Sequence, residues 1–94
     1  MSSKLTQDAD ALKQMLHSKG RHHLDVIARG NNLTIFSGSK EAPEPRMRLT
    51  RLADGQYGVS LQANSGHWDP APFCGPLAQV LEDAEGAFGY YLDP

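Results

Sequence analysis

Two neighbouring segments of this chain carry apolar residues at odd-numbered positions: Met47 and Leu49 in the first, Tyr57, Val59, Leu61 and Ala63 in the second. Alternation of that kind marks strands with one buried face, and the Ala53-Asp54-Gly55 run between them marks a hairpin. Parity then restricts the loop. A two-residue Asp54-Gly55 turn would pair odd positions with even ones and send the two apolar sets to opposite faces, a slip that a half-buried sheet penalises heavily. A three-residue loop Ala53-Asp54-Gly55, with Gly55 left-handed in a bulge, instead pairs Met47 with Leu61, Leu49 with Val59 and Arg51 with Tyr57. The strands are expected over 46–52 and 56–64.

A first hairpin precedes this one. Residues 22–29 alternate, with Leu24, Val26 and Ala28 on one side and His23, Asp25, Ile27 and Arg29 on the other. Gly30-Asn31-Asn32 tolerates positive φ, and 33–37 follows as the partner strand. A two-residue turn places Leu33 and Ile35 with Val26 and Ala28, and leaves Ile27 and Phe36 on the opposite face. Between the hairpins, residues 38–45 are rich in breakers and charge, so an exposed loop is expected.

Helical spacing appears at both ends. Ala9, Leu12, Met15 and Leu16 form a stripe within 6–19, with Ser3 or Thr6 available as a cap and Gly20 placed to stop the helix. Leu77, Val80, Leu81, Ala84 and Phe88 form a second stripe, with Pro76 suited to the first helical position, Gly75 to a cap, and Gly86 or Gly89 to the end. Tyr90-Tyr91-Leu92 then closes the chain as a packed tail or short edge strand. Segment 67–77 holds the only Trp, the only Cys and three of the six prolines. Pro70, Pro72 and Pro76 restrict it, and it reads as a folded connector in which Trp68 and Phe73 close the core.

The expected fold is therefore α+β: a two-layer sandwich in which a four-stranded antiparallel sheet of two hairpins carries both helices on one face, in the order α-β-β-β-β-α. Ninety-four residues, 39% apolar and 21% charged, suit a single domain over 1–94. The formal net charge of −2 argues against nucleic acid or anionic lipid as a general partner. A lone cysteine between Phe73 and Gly75 reads as an apolar filler, and no signal-like or membrane-spanning run is present. A soluble, cytoplasmic protein is expected.

Candidate sites follow from the two faces of the sheet. The outer face places Ile27, Phe36 and Leu52 in exposed positions beside Arg29, Arg46 and Arg48, with Thr34 and Thr50 nearby. Apolar residues edged by arginine resemble an interaction surface, so this face is expected to bind another protein or a second copy of the chain. Single-stranded nucleic acid is a weaker alternative there, with Phe36 stacking on a base.

The other candidate is a small-molecule or peptide site at His67, Trp68, Asp69, Phe73 and Cys74, where Cys74 precedes a helix N-terminus and His67 could serve as its base. His22 and His23 point to opposite sides of a strand and do not suit one metal ion. The acidic residues Asp8, Asp10, Glu82, Asp83 and Glu85 read as solvated helix faces. No phosphate loop, dinucleotide fingerprint or nucleophile elbow is present, so no cofactor is expected, and catalysis enters only through the alternative site at His67 to Cys74.

Overall fold

The structure, a computed structural model, describes residues 4–38, 41–53, 55–62 and 67–93. Ser3, Asp54, Ala63 and Asn64, which figure in the expectations above, lie outside them. Helix α1 (Lys4–Ser18) leads into β1 (Leu24–Arg29), β2 (Asn32–Gly38), β3 (Pro43–Ala53), β4 (Gln56–Gln62) and β5 (Trp68–Gly75), followed by α2 (Leu77–Phe88) and a 3-10 turn (Gly89–Leu92). The strands form one antiparallel meander in the spatial order β1-β2-β3-β4-β5.

Both helices cover the same face. Helix α1 lies over β1, and α2 lies over β4 and β5. Leu12 and Leu16 of α1 and Val80, Leu81 and Ala84 of α2 meet Leu24, Leu33, Ile35, Met47, Leu49, Tyr57 and Val59 from the sheet. Each of these larger side chains is buried, and burial of one such group contributes about 1.5–3 kcal/mol. The end of α1 explains how the chain turns toward β1. Gly20 (φ +85) lets its own N–H reach the His17 carbonyl at 3.0 Å and the Arg21 N–H reach the Leu16 carbonyl at 3.0 Å, satisfying two terminal acceptors.

The pairs expected from parity form, but not through a three-residue loop of 53–55: Ala53 is itself paired, and the extra residue lies earlier, within β3. Met47 faces Leu61, Leu49 faces Val59 and Arg51 faces Tyr57. The extra residue is Leu52: Ala53 already faces Gln56, so no β4 residue stands opposite Leu52, and Gly55 takes φ +71 in the turn. In the first hairpin Arg29 faces Asn32, leaving Gly30 (φ +60) and Asn31 as the two-residue turn.

The sheet has five strands, one more than expected. Segment 67–77 is not a connector: Trp68–Gly75 pairs with β4, with Trp68 opposite Gln62, Asp69 opposite Leu61, and Cys74 opposite Gly58. Proline lacks an N–H, which a central strand cannot tolerate but an edge strand can, and β5 is an edge. Its pairing also shifts between Gly58 and Ser60, where three residues of β5 stand against one of β4. Prolines in a run thus mimic a loop in sequence while remaining compatible with an irregular edge. β3 likewise begins at Pro43, inside the segment expected to be a loop, because its first residues pair with β2 alone and the β4 pairing starts only at Met47.

Candidate functional site

Among the described residues no helix packs on the second face of the sheet. Its central row is set by direct cross-strand pairs: Ile27 with Thr34, Thr34 with Arg48, Arg48 with Ser60, and Ser60 with Pro70. At the β1–β3 end of this face lies a concavity of about 210 Å³, lined by Ile27, Arg29, Thr34, Phe36, Pro43 and Pro45. Its shape comes from a bulge. The β2–β3 register shifts between Ile35 and Phe36, so that Ile35 faces Met47 while Phe36 faces Pro45, and Arg46 is left over.

That bulge separates residues expected to act together. Phe36 was expected to stand exposed; it is only 3% exposed although it lies outside the main core cluster. Arg46 was expected on this face and is instead turned to the covered side, where its Nε donates to Ser37 Oγ at 3.1 Å and its Nη1 to the carbonyls of Asp93 (2.9 Å) and Tyr91 (3.4 Å). An alternation rule places Arg46 opposite Met47 in facing, and a bulge removes that rule locally. Ile27, Arg29 and Phe36 are brought together; Leu52, 62% exposed, stands at the other end of the face with its side chain over Gly58.

Arg48 occupies the middle. Its guanidinium carbon lies 4.8 Å from the centre of the Trp68 ring, and its Nε is buried without a hydrogen-bond partner. Trp68 therefore contributes to this face rather than closing the core. A cation held against an indole gains about 0.5–1 kcal/mol at a solvent-exposed site, and the ring fixes the direction in which the charge points.

The five residues of the 67–74 candidate do not converge. His67 Nε2 lies 3.4 Å from Asp69 Oδ1, and both side chains are exposed. Phe73 packs against Phe88 of α2, with ring centres 6.0 Å apart. Cys74 was expected as a buried filler and is exposed, because β5 is an edge strand and its opposite number, Gly58, has no side chain to cover it. Phe73 and Cys74 do share a shallow groove of about 490 Å³ with Thr50, Leu52, Ser60 and Pro70. Its β5 wall is the irregular stretch that follows Pro70.

Two of the other three histidines are tied to the backbone. His17 Nε2 donates to the Leu24 carbonyl at 2.9 Å, and His23 Nε2 to the Leu92 carbonyl at 2.7 Å. Among the described residues no three His, Cys, Asp or Glu side chains gather as a metal site would require. Two carboxylates read as solvated are engaged instead. Asp8 accepts from the Tyr57 hydroxyl, and Glu85 is flanked by Lys19 and Arg21 at 3.3 and 3.2 Å. Burial opposes the charge on Arg21, but its hydrogen bonds and Coulombic attraction to Asp93 and Glu85 outweigh this and hold its pKa above the ordinary value.

Pro43 and Pro45 are the lining residues that a reading of 38–45 as loop passed over. The signal was there in the spacing, since Pro-Glu-Pro sends both rings to the same side of an extended chain. No helix of the described residues is long and apolar enough to cross a membrane. Comparison of the chain with protein-family models, with curated proteins and with solved structures found no match in any of the three.

Proposed function

We propose that this chain is a non-enzymatic binding module that engages another protein, or a second copy of itself, through the sheet face that no helix covers. The observation that supports this best is the apolar concavity between Ile27, Phe36 and the two prolines. At about 210 Å³ it has room for a side chain or two. Small-molecule sites usually run to roughly 300–1,000 Å³, so an inserted anchor residue fits the volume better than a cofactor does. The strand edges also favour docking on the face. On β1 the Val26 N–H donates to Asp25 Oδ1 at 2.8 Å and the Leu24 N–H to the Arg21 carbonyl at 3.3 Å, while β5 contains Pro70 and Pro72. Both edges are thereby blunted against strand addition.

The cytoplasm, a reducing compartment, suits an exposed and unpaired thiol. Single-stranded nucleic acid fits less well, because the Phe36 ring, sunk at the wall of the concavity, offers too little surface for a base to stack on and Trp68 is occupied by Arg48. A small-molecule or peptide site at the Cys74 groove is the second reading, supported by a volume of about 490 Å³. It predicts that alkylation of Cys74 blocks binding of whatever occupies the groove.

Thr34 is the residue with which to test the leading reading, since it lines the concavity and is only half-buried. Immobilised wild-type protein should retain polypeptides, or its own soluble copies, that Thr34→Glu does not retain. Leu52→Ser, at the far end of the face, should behave as wild type. Equal retention by a Thr34→Glu protein with an unchanged melting curve, together with an unchanged mass in solution, overturns the reading.

A further inference from the structure

The charges around the concavity indicate what kind of partner it takes. The whole chain carries a formal charge of −2, yet the charged side chains on this face are Arg29, which is exposed, Arg48, and a single carboxylate, Asp25 opposite Phe36, which a lysine already engages. The carboxylates of the strands that frame the concavity each have a cation of their own: Asp25 lies 3.3 Å from Lys13 of α1, and Glu44 lies 3.9 Å from Arg46. No carboxylate among the described residues pairs with Arg29 or Arg48. Arg48 is further set apart by Trp68, which holds its guanidinium from one side, and by a buried Nε with no acceptor. A planar guanidinium suits a carboxylate well.

Resting on the binding reading above, we propose that the partner is an acidic segment of another polypeptide: one apolar side chain enters the Ile27–Phe36–Pro43 concavity while a neighbouring Asp or Glu pairs with Arg48. Position supports the combination, because Arg48 stands directly opposite Thr34, which lines the concavity, and Thr34 stands opposite Ile27. Adjacent strands are about 4.8 Å apart, so the anchor and the carboxylate are separated by about 5–10 Å. An extended chain covers that distance in about two or three residues. A second copy of the chain meeting face to face is disfavoured, since a twofold axis would bring this cationic face against itself.

Short synthetic peptides with a Leu or Phe two or three positions from a Glu are the probe, alongside matched sets carrying Gln or Lys in place of Glu, and a thymidine oligonucleotide. Wild-type protein should bind the Glu set about tenfold more tightly than the Gln set. Arg48→Gln should abolish that preference, and Arg48→Lys should retain part of it. Thr34→Glu should weaken binding to both sets.

Equal binding of the Glu and Gln sets overturns the acidic-partner inference while leaving the face as a binding surface. A preference for the Lys set, or Arg48-dependent binding of the oligonucleotide, overturns it in favour of other chemistry. Absence of binding by every set also overturns it, and the Thr34→Glu comparison with natural partners then decides separately whether the face binds anything. Melting curves for each variant separate lost binding from lost folding.

Discussion

Tyr57 is fully buried, and its hydroxyl donates to Asp8 Oδ2 at 2.6 Å, linking β4 to α1 across the core. Burial, with the hydrogen bond and the nearby charge of Asp8, raises the phenol from its ordinary value near 10 to about 12. Between those values the unfolded chain ionises its tyrosine while the folded chain keeps the proton. Stability is therefore fully present below about pH 10 and is lost as the pH rises toward 12, by on the order of 2–3 kcal/mol. Tyr57→Phe removes a hydrogen bond to a charged group and should cost about 1.5–3 kcal/mol at neutral pH. Denaturant unfolding of both proteins from neutral pH to pH 12 tests the pair of statements, since the wild-type advantage should shrink over the alkaline range; a constant difference would contradict the assignment. The apolar half of Tyr57 was legible from its odd parity. Its hydroxyl partner was not, because an acidic residue early in a helix looks solvated until a strand 49 positions later is laid beneath it.

At the scale of elements, Leu52 contributes a residue more than a side chain. It is 62% exposed and has no partner on β4, yet the shift it introduces lets Met47 and Leu49 share a face with Tyr57 and Val59. Deleting it would leave Ala53 opposite Gln56 and Arg51 opposite Tyr57 in unbroken succession, with Asp54-Gly55 as a plain two-residue turn, a sequence such turns favour. The Leu52 deletion should therefore keep the fold and the core register, with a melting temperature within a few degrees of wild type. Deleting Thr34 should not be tolerated in the same way. Thr34 is paired on both sides, and its loss turns either Leu33 or Ile35, each fully buried, away from the core. Circular dichroism melts of the two deletions decide this, and collapse of the Leu52 deletion would sink the bulge interpretation. Strand positions were readable wherever one face is buried and the alternation is unbroken. They were not readable at Arg46 or through Pro70 and Pro72, where a bulge or an edge frees the backbone from the ladder that makes alternation informative.

At the scale of the whole molecule, the last residues are held by side chains from three places distant in sequence. Arg21, just past α1, reaches Asp93 at 3.0 Å and Glu85 of α2 at 3.2 Å; His23 donates to the Leu92 carbonyl; Arg46 donates to the Tyr91 and Asp93 carbonyls. Leu92 is itself fully buried, and Phe73, Phe88 and Tyr91 form a run of ring contacts from β5 through α2 to the 3-10 turn. A packed tail was expected from Tyr90-Tyr91-Leu92, but the donors that fix it look like surface histidines and arginines when met one at a time. A chain ending at Phe88 should lose the burial of Leu92, about 1.5–3 kcal/mol, and leave the half-buried donors of His23 and Arg46 without their carbonyl acceptors. The ion pairs of Arg21 add little where Asp93 is exposed. A total loss of at least about 3 kcal/mol is expected, a large share of the 5–15 kcal/mol that a domain of this kind has. Tyr90→Ala, at a ring 66% exposed, should change stability by less than about 1 kcal/mol. Urea unfolding of the truncated chain and of Tyr90→Ala measures both. A truncated chain with the wild-type midpoint would mean that the core is closed without its C-terminal turn, and hydrogen exchange at Leu24 and Met47 would then show no loss of protection.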